Sequence, residues 1–442
     1  MQHDTGGART SATSSATTGS TMSTTGSSSG ATAQRWLVVL LFLGTALNYV
    51  DRQVLALLKP TLTQEFGWND QQFAHLGAVF QLTAAAALLL VGPLVDRLGV
   101  RRAYGGAVGI WSLAGATHAF AATLSQFLGA RVMLAAAEAV NTPAVVKACA
   151  QHLSLPQRSR ALGIINSAPN LGAILTPLLI PAFALAFGWK AAFLVTGALG
   201  FIWLLAWFPA TRALESALAI TAPPSMTAAA KDDEPQSTTV PLPAQSLFKD
   251  PTTWAVAGAK ALTDMVWWFM LFWMPDFFVR SFGLSQGGVS GPVALVFTFA
   301  ALGALSSGFL FPWLVERGLP PDRARKLSML GYALLVLPLP LAMQAGSPWT
   351  AALLIGLGLF AHQGFATNIF GLAADTVPLT RIARVMAFGA ICGNLTGMGI
   401  IEFTGWSLTN GVGYWPMFAV ASSAYLLATG WVHLLVRSPV RT

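Results

Sequence analysis

The recurrence of long apolar runs is what most restricts this chain. Stretches such as "LTAAAALLLVGPL" (82–94), "AFLVTGALGFIWLLAWF" (192–208) and "ALLIGLGLFA" (352–361) each extend to about 20 apolar residues, enough for a helix to cross a bilayer core of ~30 Å. Only 10% of the 442 residues are charged, against about 25% in an ordinary soluble domain. That is too few to coat a globule of this size. A β-barrel would show short alternating segments instead. The expected fold is therefore all-α and polytopic, with about twelve spans of this length: 36–59, 72–95, 103–121, 125–150, 161–186, 191–210, 252–279, 290–315, 327–344, 349–372, 382–408 and 414–436.

The net charge of +8 lies mainly in short gaps between these runs, so it is not a nucleic-acid signal. Arg97, Arg101 and Arg102, then Arg158 and Arg160, then Arg317, Arg323, Arg325 and Lys326, then Arg381 and Arg384 mark alternate gaps. The intervening gaps hold few cations: Lys59, Lys190 and Arg280. This is the positive-inside pattern, and it predicts a cell (inner) membrane protein with both termini in the cytoplasm. Residues 1–34 are rich in Ser, Thr, Gly and Ala, with no apolar core of a signal peptide, and read as a disordered cytoplasmic tail. A polar, Pro-rich stretch at 211–250, with a short possible helix at its start, reads as a cytoplasmic linker. It divides the chain into six-helix bundles at 35–210 and 251–437. Cys149 and Cys392 read as packing residues.

The halves echo one another. In "RALGIINSAPNLG" and "RVMAFGAICGNLTG", Arg160 and Arg384 are each followed ten positions later by Asn-Leu, at Asn170 and Asn394. Parallel six-helix repeats with a substrate site between them near the midplane are a transporter architecture.

Ionisable residues inside a span cost about 2.5–3.5 kcal/mol each on insertion scales, so they normally face a bundle interior or a watery cavity. Here they are Asp51 and Arg52 in the first span, Arg131 and Glu138 in the fourth, and Lys260 and Asp264 in the seventh. Glu402 is expected near the outer surface. Asp51 and Arg52 are adjacent, about 100° apart around the helix, so each needs a partner elsewhere. Arg131 and Glu138 share a face about 10.5 Å apart along the axis, too far for a direct pair. Ionised, the four sum to zero. One proton on a carboxyl makes them +1, the charge that accepts a monocarboxylate. Such charges also pin helices together without any role in transport. Lys260 and Asp264, at i and i+4, can satisfy each other and read as a local or gating pair.

"GPLVDRLGVRR" (92–102) resembles the loop signature of the major facilitator superfamily. "NYVDRQVLALLKPTL", "EFGWND", "EAVNTPAVVKA", "AKALTDMVWWFMLFWMPDFF" and "AHQGFATNIFGLAADTVP" resemble its anion:cation symporter family, and within it the hexuronate transporters. The likeness runs from about 35 to 436. The chain departs from that pattern with "VNTP" (140–143) in place of Gly-Asn-Phe-Pro, and with Ala84 where a tyrosine is common. "GNLTG" (393–397) looks more like the aldonate and sialin-like branches. The resemblance implies that Asp51 and Glu138 carry protons, that Arg52 and Arg131 meet a substrate carboxylate, and that Asp96 and Arg97 belong to a conformational loop.

For sugar hydroxyls the candidates are Tyr49, Asn166, Gln363 and Asn394, ahead of Gln53, Asn170, Asn368, Trp267 and Trp268. Each has a plainer reading, since Trp is common at membrane interfaces and Asn can join helices. His362 reads as a hydrogen-bonded packing residue or a proton relay. No metal cluster, Ser-His-Asp set or phosphate loop appears, so neither a cofactor nor an enzyme is expected. The resulting expectation is a monomeric transporter whose partners are an organic anion of the sugar-acid class, protons and the lipid bilayer. It works by proton symport and alternating access. Anion efflux by antiport and a non-transporting sensor are the rival readings. The short linker and featureless tail disfavour the sensor.

Overall fold

In lipid every backbone N–H and C=O must be satisfied within the chain, and long helices do this without neighbours. The computed structural model describes residues 24–221 and 247–436. Most of the expected tail and linker, residues 1–23 and 222–246, lies outside the described residues. Among the described residues, eleven helices are long and apolar enough to cross a membrane. The remaining expected span, the third, is Val100–Thr117, an 18-residue helix whose first turn carries Arg101 and Arg102. The outer surface is apolar, as lipid requires: Leu205 is 78% and Phe309 77% exposed. The chain is a multi-pass membrane protein.

The first half comprises Thr24–Leu57, Asp70–Leu98, Val100–Thr117, a fourth span in two pieces, a fifth in two pieces, and Trp189–Thr221. The second comprises Pro251–Phe282, Ser290–Glu316, Pro321–Val336 with a short 3₁₀ turn Leu339–Gln344, Pro348–Thr376, Leu379–Thr409 and Trp415–Leu435. The sixth helix runs to Thr221, past the expected boundary at 210, because "TRALESALAIT" contains no breaker before Pro223 and Pro224. Caps follow the sequence. Asn69 accepts from the Gln72 backbone N–H while the Gln72 side chain returns the bond, and Ser347 accepts from the Thr350 N–H.

Among the described residues, the fourth and fifth spans of the first half are each broken into two α-helical pieces. The fourth breaks after Glu138 and restarts at Asn141, with Pro143 removing a backbone donor. The fifth breaks at Asn166–Ser167, just before Pro169. Asn141 holds the fourth-span break in place by accepting hydrogen bonds from Tyr104 (2.7 Å) and Thr45 (3.3 Å).

The halves meet where the second span packs on the eleventh, the fifth on the eighth, and the first on the seventh. Glycine permits the closest approach. A Cβ at Gly77 would stand 2.8 Å from the Phe272 ring, and one at Gly405 2.3 Å from the Ala74 Cβ.

Candidate functional site

Asp51 and Arg52 leave the first span in different directions, as adjacent helical residues must. The Arg52 Nε donates to Glu138 Oε2 at 2.8 Å, joining the first span to the fourth at its break. The expectation that Arg52 needs a partner off its own helix holds. Asp51 is buried against the Thr196 hydroxyl and makes no ion pair among the described residues. Arg131 is buried, and its Nε donates to the Leu76 carbonyl at 3.3 Å.

Aromatic rings frame both arginines. The Arg52 guanidinium lies 5.2 Å from the Tyr49 ring, 5.3 Å from Phe80 and 5.5 Å from Trp268. The Arg131 guanidinium lies 4.4 Å from the same Phe80 ring. One phenyl ring therefore carries a cation from the first span and one from the fourth, as cation–π attraction favours. Trp268 brings the second half onto Arg52. Glu138 Oε1, the carboxylate oxygen not used by Arg52, has no hydrogen-bond partner among the described residues.

Other sequence candidates fall in several places. Tyr49 is partly buried, beside Arg52. Asn394 is buried on the eleventh span, next to Gly393, which abuts Asp264. Gln363 is partly buried and Asn166 is exposed at the break in the fifth span. Neither side chain hydrogen-bonds to the arginines among the described residues. Asn368 is bound up with Arg325 (3.4 Å) and with the Gly364 carbonyl (2.8 Å). His362 stacks on Trp267 (5.3 Å) and its Nδ1 meets the Tyr425 hydroxyl at 2.8 Å, which is the packing arrangement. Lys260 and Asp264 pair at 2.8 Å within their own helix.

The ends of the molecule differ. At the end that carries Asp96 and Asp375, the ion pairs found among the described residues stay within each half. Asp96 takes Lys147 at 2.6 Å in the first, and Asp375 takes Arg325 at 2.6 Å in the second. Arg97 is exposed beside Asp96. At the opposite end, ion pairs cross between halves. Lys59 reaches Asp70 (2.6 Å) and Asp276 (2.7 Å), and Arg280 reaches the same two carboxylates (2.5 and 2.7 Å). The Tyr414 hydroxyl donates to Asp276, and His75 meets Glu402 at 2.7 Å across the second and eleventh spans. Sequence reasoning missed this ring. Lys59 and Arg280 read as sparse cations of the intervening gaps, and the i, i+4 spacing of Asp276 and Arg280 was the local signal that could have found it.

Known proteins share this chain's pattern. A probable L-galactonate transporter of Escherichia coli K12 is 28% identical over 352 residues, covering 79% of this chain and 77% of its own. The hexuronate transporter of the same strain is 26% identical over 400 residues, covering 89% and 92%. A bacterial homologue of the human lysosomal transporter Spinster, solved in an inward-facing, occupied conformation, superposes with a TM-score of 0.68 at 18% identity, over 91% of this chain and 96% of that one; at that identity the likeness speaks for the fold. The sequence model of the Major Facilitator Superfamily, a family of membrane transporters and not of enzymes, matches residues 41–401, so the chain belongs to that superfamily.

Proposed function

We propose that this protein is a proton-coupled symporter of an organic monoanion, a hexuronate such as glucuronate or galacturonate, or a related sugar acid. It sits in the cell (inner) membrane with both termini in the cytoplasm. The observation that carries this reading is the arrangement of Arg52, Arg131, Glu138 and Asp51 in one half, with two guanidiniums on one ring and one of them held by a carboxylate. Ionised, the set is neutral. A proton on Glu138 releases Arg52 and leaves the set at +1, ready for one carboxylate, which Arg can hold by a two-bond fork. The names of the relatives, an L-galactonate and a hexuronate transporter, support the sugar-acid class. Among the described residues, ion pairs cross the halves at the Lys59–Asp276 end, which fits a site that opens to one side at a time by rocking of the halves.

The test uses one reconstituted sample of Glu138→Gln, which mimics the protonated acid permanently. It should exchange labelled sugar acid in counterflow and fail to accumulate it under an imposed pH gradient. Accumulation at the parental level removes Glu138 as the coupling group. Uptake by the parent that needs a sodium gradient and ignores pH overturns proton coupling.

A further inference from the structure

The seventh-span pair, Lys260 and Asp264, has no task in the charge scheme above. A packing role explains it poorly. Ion pairs that pin helices together join two helices, as Arg52 and Glu138 do, whereas this pair is closed within one turn of one helix at 2.8 Å. Two apolar residues in its place would pack as well at no desolvation cost. Nor is it sealed away: the two side chains are 12% and 18% exposed.

The surroundings place the pair on the second half's side of the midline. Trp268, one turn beyond Asp264 on the same helix face, lies 5.5 Å from the Arg52 guanidinium. Behind the pair, the eleventh span offers bare backbone. A Cβ at Gly389 would come 2.9 Å from Lys260 Cδ, and one at Gly393 2.3 Å from Asp264 Oδ2. The Phe370 ring lies 5.5 Å from Lys260 Nζ. Lysine has three donors and a carboxylate about four acceptor positions, so the mutual bond leaves most of both unused.

We propose that Lys260 and Asp264 form the specificity subsite for the hydroxylated end of the substrate, opposite the arginines that take its carboxylate. The pair is neutral, so it does not attract a second anion. It offers a donor and an acceptor side by side, the match for neighbouring hydroxyls, each of which donates and accepts. A ligand held this way has its charged end on the first half and its polyol end on the second. It therefore bridges the two bodies that must move together. This inference rests on the sugar-acid reading above and goes beyond it by naming what reads the sugar.

The experiment measures affinities of detergent-purified protein by calorimetry for glucuronate, for propionate as a bare monocarboxylate, and for galactarate as a sugar dicarboxylate. The parent should prefer glucuronate to propionate by at least about tenfold. The double variant Lys260→Met with Asp264→Leu keeps the shape and removes the polar atoms. It should bring the two affinities within about threefold, through loss of glucuronate binding with propionate unchanged. A preference that survives in the double variant overturns the proposal. Asp264→Asn, an independent variant should the double one not fold, leaves Lys260 unpaired. Its ratio of galactarate to glucuronate affinity should rise by about tenfold, because a second carboxylate now finds a free cation. An unchanged ratio likewise overturns the proposal. If the parent binds no sugar acid at all, the proposed function fails first, and that result is separate from either variant's.

Discussion

Replacing Lys59 by Met should loosen the end of the molecule where ion pairs cross between halves. Lys59 is 1% exposed and touches two carboxylates, at 2.6 and 2.7 Å, with its ammonium 4.5 Å from the Trp273 ring. Removing one member of a buried ion pair typically costs about 3–5 kcal/mol, because the partner is left buried and unmatched. Here Arg280 still reaches both Asp70 and Asp276, and it is 42% exposed, so water screens part of the loss. A figure near the lower bound, about 3 kcal/mol, is reasonable. Lys59–Asp276 crosses the halves and is broken when they part, whereas Lys59–Asp70 stays within the first half, so only part of the penalty falls on the closed state alone. With about half of it, roughly 1.5 kcal/mol, specific to the closed state, the equilibrium should move toward opening at this end by roughly tenfold at 1.4 kcal/mol per decade. Spin labels at Gln64 and Asn410, exposed and on opposite halves, would report it in a background with Cys149 and Cys392 replaced by alanine. Double electron–electron resonance should show the parent at a short separation and Lys59→Met with a dominant longer one. A parental distance distribution in a monodisperse variant would refute the assignment of this ring as the closure.

Three further outcomes follow from named contacts. Arg131→Lys keeps the charge and loses the fork, so sugar-acid affinity should fall by about tenfold or more, and a near-parental calorimetric affinity would remove Arg131 from the site. Gly77→Leu drives a side chain into Phe272, where even a Cβ has only 2.8 Å, so the same spin-label pair should move toward the open distance. Asp96→Ala breaks a pair whose carboxylate is 72% exposed, so its stability cost should stay within about 1 kcal/mol. The counterflow rate should nevertheless fall at unchanged binding affinity if the loop governs conformational exchange; an unchanged rate would relieve Asp96 of that role.

The spans were legible because lipid leaves the chain few options, and a run of apolar residues states its own length. The third span was the hardest to read. Its two leading arginines and four glycines dilute the apolar signal, yet it folds as one helix. Partnerships between spans were less accessible. That Asp51 and Arg52 diverge follows from helical geometry, but that Arg52 finds Glu138 depends on how two helices rotate against each other. No spacing along the chain encodes this. Phe80, which joins the two arginines, had no local signal. The break below Glu138 was partly visible in "VNTP", since Pro143 cannot donate to the preceding turn. Asn166 looked like a buried amide within a helix. It lies instead at the break of the fifth span, where Pro169 ends one helix segment's register and the side chain is exposed.

The direct bond between Arg52 and Glu138 sharpens the proposed coupling. Two separated charges would only sense each other, and proton and anion could arrive in either order. With Glu138 on Arg52 at 2.8 Å, a substrate carboxylate competes with Glu138 for the same donors. Protonation ends the competition, because a neutral carboxyl is a far weaker partner for a guanidinium. Anion affinity should therefore rise as pH falls through the range in which Glu138 takes up its proton, and level off below it. Glu138→Gln has no such proton to gain, so its affinity should be high and flat over that range, matching the parent's low-pH plateau. Calorimetric titrations of both proteins with glucuronate, kept above the sugar acid's own ionisation, decide the matter. A Glu138→Gln protein that keeps the parental pH dependence would shift the coupling role to Asp51, which is buried nearby without an ion-pair partner among the described residues. A flat but weak affinity would instead show that Glu138 positions Arg52 for the anion and does not compete with it.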